Sequence, residues 1–390
     1  MVQVQHARIE RPPFDRGSRR VEARIHRRIL AGDSLVTSCI LDTMNECARG
    51  CLLGLAVGDA LGTTFEFDRI DQPAYPTLAT GPATDVVGGG PFDLDAGQVT
   101  DDTQLAVCLA RSLAERGRFE LADVASRYVA WTSEAFDIGN QTGASLRRIE
   151  EGTPILEASF GVWRASGRRA AGNGSLMRAA PLAIALRDDP DALVDAALRE
   201  SMITHADPRC AIACAAFDRA IAVVLDLTRT DPRIRGRWMQ DAARAALAPA
   251  AERLHAMWRE HADADADDHA AIDRAVDEIA ADLNAAVADE PGVYTEELHL
   301  YRTAGFVRVA LRLAFWHAVH TPSWRDAVVD VASRGGDADT NAAIVGALLG
   351  ARDGEHAIPH AWRERVLAAR QRGSDAWAEA HHPRHLLAIE

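Results

Sequence analysis

Residues 100–114 read Thr100-Asp101-Asp102-Thr103-Gln104-Leu105-Ala106-Val107-Cys108-Leu109-Ala110-Arg111-Ser112-Leu113-Ala114. An acidic loop, 100–103, runs directly into an apolar stretch with helical spacing, 104–113. The arrangement returns far along the chain, where Gly335-Gly336-Asp337-Ala338-Asp339-Thr340 precedes the apolar residues 341–350. An Asp or Thr ahead of a helix is ordinarily an N-cap, and a cap needs one side-chain oxygen. Two carboxylates plus two hydroxyls in one loop exceed that need. Crowded carboxylates repel unless a cation neutralises them, and an all-oxygen set suits Mg2+ or Mn2+ better than zinc. If the two loops meet in the fold, they make a metal site. Spacing alone places them at helix starts.

Working outward, apolar residues recur at intervals of three and four over 104–114, 121–131, 193–202, 211–227, 307–319 and 343–349. No convincing run of alternating strand residues appears, and Gly and Pro fall mostly between these segments. From Glu46 onward the pattern predicts an all-α domain. The 390 residues are enough to bury a full core, and 48% apolar content excludes wholesale disorder. Every basic residue is Arg, and the net charge of −14 argues against a general nucleic-acid binder. That charge leaves room for a phosphate-bearing ligand held by local dipoles. None of the six Cys forms a C-x-x-C pair, so reduced core cysteines are expected. No apolar run approaches membrane-spanning length, and a cytoplasmic protein without a membrane segment is expected.

Two regions depart from this pattern. Residues 1–43 form an Arg-rich arm ahead of a domain at 44–390, with Arg8, Arg11, Arg16, Arg19, Arg20, Arg24, Arg27 and Arg28 facing few acids. The arm reads either as a tail or as a segment that contacts a partner protein. Residues 228–300 are rich in Arg, Asp and Ala and are expected to be a helical insertion outside the chemistry. Its run from His261 to His269 reads as a solvated linker between two helices.

Five polar clusters interrupt the helical pattern, each beside glycines that let backbone approach a ligand. Gly54, Gly58 and Gly62 are spaced by four, which lets another helix pack closely; Glu66 follows between Phe65 and Phe67. A carboxylate in apolar surroundings has a raised pKa and can act as acid or base. The acidic loop at 100–103 is the second cluster. The third, Asp137-Ile138-Gly139-Asn140-Gln141-Thr142, suits a turn between helices. The fourth, 171–178, resembles a backbone nest opening onto a helix, a phosphate-binding arrangement. The fifth, Thr204-His205-Ala206-Asp207-Pro208, is a helix break with a His at the junction.

The order of these clusters is more specific than any one of them. Gly-Asp-Ala-Leu-Gly with a following Glu, then Thr-Asp-Asp-Thr, Asn-Gly-Ser-Leu-Met-Arg, Thr-His-x-Asp-Pro and Gly-Gly-Asp-x-Asp-Thr-Asn resembles the ADP-ribosylglycohydrolase family. The Asp-Ile-Gly-Asn-Gln-Thr stretch is similar to the dinitrogenase reductase-activating branch, which removes ADP-ribose from arginine. The resemblance covers about residues 46–352, without the insertion.

It implies a compact orthogonal multi-helix domain with two Mg2+ or Mn2+ ions in a cleft. The metal ligands implied are Thr100, Asp101 and Asp102 from one side and Asp337, Asp339 and Thr340 from the other. Glu66 matches the mobile acid near the scissile bond, and either Glu66 or Asp137 relays the proton. Asp137 and Asn140 match positions lining the arginine-linked ribose; Asn173, Gly174 and Ser175 match diphosphate and ribose contacts. His205 falls at a position near the ligand. The substrate implied is an ADP-ribosylated protein. Other ADP-ribosyl linkages are the enzymatic alternative. Immunity against an ADP-ribosyltransferase toxin, bound through residues 1–43, is the alternative of another class.

Overall fold

Helix α1 (Ser34–Gly62) carries four glycines at intervals of four, and they decide how the centre of the molecule packs. The structure, a computed structural model, describes residues 34–225, 230–260 and 264–389. Among these residues the chain is all-α, as its periodicity predicts: helices are joined by turns and isolated bridges, with no strand. After α1 come α2 (Asp101–Arg116), α3 (Leu121–Trp131), α4 (Asn140–Glu150), α5 (Ile155–Ala165) and α6 (Ala180–Ala185). Then follow α7 (Pro190–Ser201), α8 (Pro208–Leu225), α9 (Pro232–Arg259), α10 (Ala266–Ala285) and α11 (Val307–His320). The last are α12 (Trp324–Ser333), α13 (Ala338–Asp353), α14 (His360–Ala368) and α15 (Asp375–Ala380).

Two starts lie earlier than the apolar pattern. Asp101, Asp102 and Thr103 already belong to the first turn of α2, and Asp339 and Thr340 to that of α13. What reads as two acidic loops is therefore two acidic first turns, where the positive end of the helix dipole favours carboxylates.

Helices α1 and α13 meet backbone to backbone. A β-carbon on Gly50 would lie 2.4 Å from the carbonyl oxygen of Gly350. On Gly54, Gly58 and Gly62 it would lie 2.2, 2.1 and 2.3 Å from those of Gly346, Ala342 and Ala338. No side chain fits in these gaps, so glycine is required by approach rather than by φ. The pairing runs antiparallel and brings the end of α1 to the start of α13. Trp324 closes the seam from the side by donating its indole N–H to Gly346 O at 2.9 Å. From Ala48 to Leu61 the apolar side chains of α1 are buried on all faces, as a central core helix requires.

Residues 228–300 are less peripheral than expected. Helix α9 packs along α8 and buries Met239, Ala243, Leu254 and Trp258. Gly236 presses so close to α11 that a β-carbon would sit 1.9 Å from Ala318 O. Part of the polar composition is buried as well: Asp282 of α10 is fully enclosed, where it takes Arg308 and Arg312 of α11.

The Arg-rich stretch up to Arg28 lies outside the described residues. Cys47, Cys51, Cys108, Cys210 and Cys214 are buried free thiols. Among the described residues no helix is long and apolar enough to cross a membrane.

Candidate active site

Neither acidic turn caps its own helix through a side chain at the N-cap position; Asp59, near the end of α1, and Glu66, just beyond it, do so. Asp59 is fully buried and accepts from Thr100 N–H at 3.1 Å and from Thr103 N–H at 3.1 Å. It also takes the hydroxyls of Thr100 and Thr103, at 3.0 and 2.5 Å. At the other helix, Glu66 Oε2 accepts from Ala338 N–H at 2.5 Å and more weakly from Asp339 N–H at 3.4 Å. Helix starts leave N–H groups without intrahelical partners. Because Asp59 and Glu66 take several of them, Asp101 and Asp102 need not cap their own helix.

These oxygens converge. Asp59, Asp102 and Asp339 each offer a carboxylate oxygen within 4.8 Å of the others, and so do Glu66, Asp337 and Asp339. Asp339 belongs to both groups. Across 238 positions of sequence, the Thr340 hydroxyl reaches Asp102 Oδ2 at 3.3 Å. The Thr100 hydroxyl lies 3.1 Å from the same oxygen. The two acidic turns thus meet.

The electrostatics of the protein alone are unfavourable. Burial, then the charge of Asp137 followed by those of Asp339 and Asp59, pushes the Asp101 carboxyl well up. Burial and Asp339 do the same to Asp102, and burial and Asp337 to Asp339. Glu66 is raised by burial and by Asp339 and Asp337. Its neighbours are therefore carboxylates rather than the apolar surroundings its sequence context suggests: Phe67 turns outward. Burial alone lifts Asp59 to about 6 against its hydrogen bonds. Asp102 Oδ1 is buried and has no hydrogen-bond partner. A buried carboxylate oxygen without a donor, among like charges and hard oxygen ligands, is what a divalent cation would satisfy. The residues present fit such an ion.

A cleft of about 440 Å³ opens over this cluster. Glu66, Asp101, Asp337, Asp339 and Thr340 line it, as do Asp137 from the turn before α4 and Asn140 from the first position of that helix. Burial and the charges of Asp59 and Asp337 raise Asp137 to about 6. Asn173, Gly174 and His205 also line the cleft. The Asn173 amide donates to Asp337 Oδ2 at 2.6 Å, so its carbonyl end faces elsewhere. Asp102 and Thr100 lie beneath the surface rather than on the wall.

Two expectations are modified. Ser175 is fully buried below the cleft, where its hydroxyl accepts from Ser201 at 2.9 Å; it supports the wall without lining it. The stretch around Gly172 and Gly174 is not a nest, because neither glycine has a positive φ. The N–H groups of Gly172, Asn173, Leu176 and Met177 are all engaged within the protein. Gly174 instead makes room for a side chain: a β-carbon there would lie 3.0 Å from the His205 ring.

His205 is buried, and burial with the nearby Arg178 charge holds it well below the usual imidazole range, hence neutral. Its Nδ1 lies 2.7 Å from the Thr204 hydroxyl, which already accepts from Arg178 at 2.8 Å. The hydroxyl proton is then free for Nδ1, which assigns the ring proton to Nε2, the nitrogen nearest Gly174 and Gly172. Sequence reasoning missed Asp59, Gly305 and Phe67. Asp59 sits within the quoted glycine run but looks like part of the packing face. Gly305, at φ +76, lies against Asp337 and Asn173, and its sequence neighbourhood carries no motif.

The chain belongs to the ADP-ribosylglycohydrolase family, whose model matches residues 41–385, and it is a hydrolase of ADP-ribosyl linkages. An ADP-ribosylarginine hydrolase of Pseudomonas putida, Tri1, is 31% identical over 329 residues, 82% of this chain and 74% of that protein. The ADP-ribosyl-[dinitrogen reductase] glycohydrolase of Rhodospirillum rubrum is 30% identical, over 83% of this chain and 91% of its own. A solved structure, described as an ADP-ribosylglycohydrolase-related protein complex, aligns with a TM-score of 0.57 at 26% identity. It covers 89% of this chain and 98% of that one.

Proposed function

We propose that the protein removes ADP-ribose from arginine side chains of modified proteins, with two Mg2+ or Mn2+ ions held between the starts of α2 and α13. The observation that carries this reading is the meeting of the two acidic turns around the unpartnered Asp102 Oδ1. Thr100, Asp101 and Asp102 would hold metal from one side, and Asp337, Asp339 and Thr340 from the other. Bound there, divalent cations orient ribose hydroxyls and lower the pKa of an attacking water.

The chain's own residues do the rest. The bond from ribose C1″ to the guanidinium nitrogen breaks through an oxocarbenium-like state, so a proton must reach the departing guanidine. Asp137 suits that role: it stands on the cleft wall, and burial before anything else raises its carboxyl above the usual carboxylate range. Glu66 is the alternative, but one of its oxygens is engaged at the start of α13. A carboxylate also pairs with guanidinium N–H groups, which favours the arginine linkage over serine or polymer. His205 Nε2–H donates toward the diphosphate without carrying charge, beside Asn173 and Gly174. The cytoplasm, where protein targets of this modification are met, is the expected location.

Release of ADP-ribose from an arginine-modified protein tests the reading, with Mg2+, with Mn2+ and after EDTA. Metal-dependent release is expected. Release from serine-linked or polymeric substrates alone would move the substrate and keep the family chemistry. Immunity against an ADP-ribosyltransferase toxin through residues 1–43 rests on the Arg content of that segment; deleting it should then abolish toxin binding and spare hydrolysis.

A further inference from the structure

Phe67 combines two features that core packing does not explain. Its φ is +63°, in the left-handed region, where a bulky side chain is a genuine outlier. The residue is 69% exposed, more than any other large apolar residue among the described residues. The strained backbone is held on purpose-built supports. Phe67 N–H donates to Gly336 O at 2.7 Å, and Gly336 N–H donates to Asp68 O at 2.9 Å. The segment is thereby clamped beside the turn that carries Asp337 and Asp339. Strain of this kind persists where the surroundings enforce it, most often at functional sites.

Phe67 also lines the cleft, together with Glu66, Asp337 and Asp339. On the proposed function, the acidic wall takes the ribose adjoining the scissile bond. A group at the mouth on that same side meets what is attached to the ribose, namely the departing side chain. For arginine this is a planar, delocalised cation that stacks on aromatic faces.

We propose that Phe67 is a specificity-determining residue, a platform on which the guanidinium of arginine-linked ADP-ribose stacks while Asp137 accepts from its N–H edge. The face and the edge of the leaving group are then recognised by different elements. A serine linkage presents no planar cation and gains nothing from the ring.

The inference rests on the arginine reading, and the experiment separates the two. Hydrolysis of arginine-linked and serine-linked ADP-ribose is measured for the wild type, Phe67→Leu and Phe67→Trp, together with inhibition by free ADP-ribose. Leucine keeps the β-carbon and apolar character, so the backbone is no more strained than before, and a melting curve verifies the fold. For Phe67→Leu the KM for the arginine substrate should rise roughly three- to tenfold with kcat little changed. Inhibition by ADP-ribose, which lacks the guanidinium, should stay as it was, and Phe67→Trp should restore the wild-type KM. An unchanged KM in an active Phe67→Leu enzyme overturns the platform alone. A parallel weakening of ADP-ribose inhibition overturns it as well, because the ring would then be touching the nucleotide. A wild type that leaves arginine-linked ADP-ribose intact removes the arginine reading and the platform together.

Discussion

Thr103 donates both its backbone N–H and its hydroxyl to one oxygen of Asp59, at 3.1 and 2.5 Å. Asp59 stands on α1 and Thr103 in the first turn of α2, so a residue outside the acidic turn fixes where that turn sits. The same carboxylate also takes the N–H of Thr100. Asp101 and Asp102 are consequently aimed without having to cap anything themselves.

Asp59→Asn tests this arrangement. The amide keeps the shape but turns one acceptor into a donor facing donors. Groups that position metal ligands typically change metal affinity by 10–100-fold when altered. The variant should fold, and its apparent Mn2+ affinity, read by calorimetry, should fall by at least about tenfold. Wild-type affinity would mean that the α2 start is held by other contacts.

Asp102→Ala and Asp339→Ala each remove a buried carboxylate that burial and its neighbours push well above the usual range. Taking away one member of a repelling set should leave the metal-free melting temperature unchanged or higher. The rise in melting temperature on adding Mg2+ or Mn2+ should disappear, and so should hydrolysis. Substantial turnover in both variants would exclude the proposed metal centre.

Gly58→Ala adds a single carbon where Ala342 O lies 2.1 Å away. The obstacle is backbone, which cannot rotate aside, so the two central helices must separate. A loss of about 3 kcal/mol or more is expected in urea unfolding, at the upper end for overpacking. A loss below about 1 kcal/mol would show that the seam has slack.

His205 gives a pH dependence with a definite sign. Its folded pKa is depressed, by burial first and then by Arg178. Below about 6.5 the unfolded imidazole takes up a proton that the folded one refuses, so the unfolded state gains and stability falls as pH drops. Above that pH the group contributes no slope. Relative to His205→Asn, the wild type should lose stability by up to about 1.4 kcal/mol per pH unit below 6.5. Parallel stability profiles for the two proteins between pH 5 and 8 would contradict a neutral buried His205.

Much of this molecule is legible in its sequence. The span of α3, Leu121–Trp131, coincides with its apolar period, and the glycine spacing at 54, 58 and 62 announces a close helix partner. Periodicity does not mark where α2 and α13 begin, because their first turns are polar and belong to the site. It also underrates α9, whose buried face is diluted by Arg and Asp on the outer one. Within the site, carboxylates at the two acidic turns are readable as an excess over capping needs. Ser175 is not separable from Gly174 by residue type, although one is sealed under the cleft and the other lines it. Asp59 hides among packing residues, and the exposure of Phe67 follows from a φ that no residue name reveals.

The seam between α1 and α13 has a bearing on inheritance. The spacing of the acidic turns is dictated there by carbonyl oxygens, which every amino acid possesses, facing positions that admit no side chain. Loops, rims and outer helix faces can therefore drift without moving the two turns apart. A glycine codon, in contrast, lies one nucleotide from alanine, valine or an acidic residue. In a library of random variants, codons 50, 54, 58 and 62 should thus be purged almost as thoroughly as those of the carboxylates, although no atom of these glycines faces the ligand.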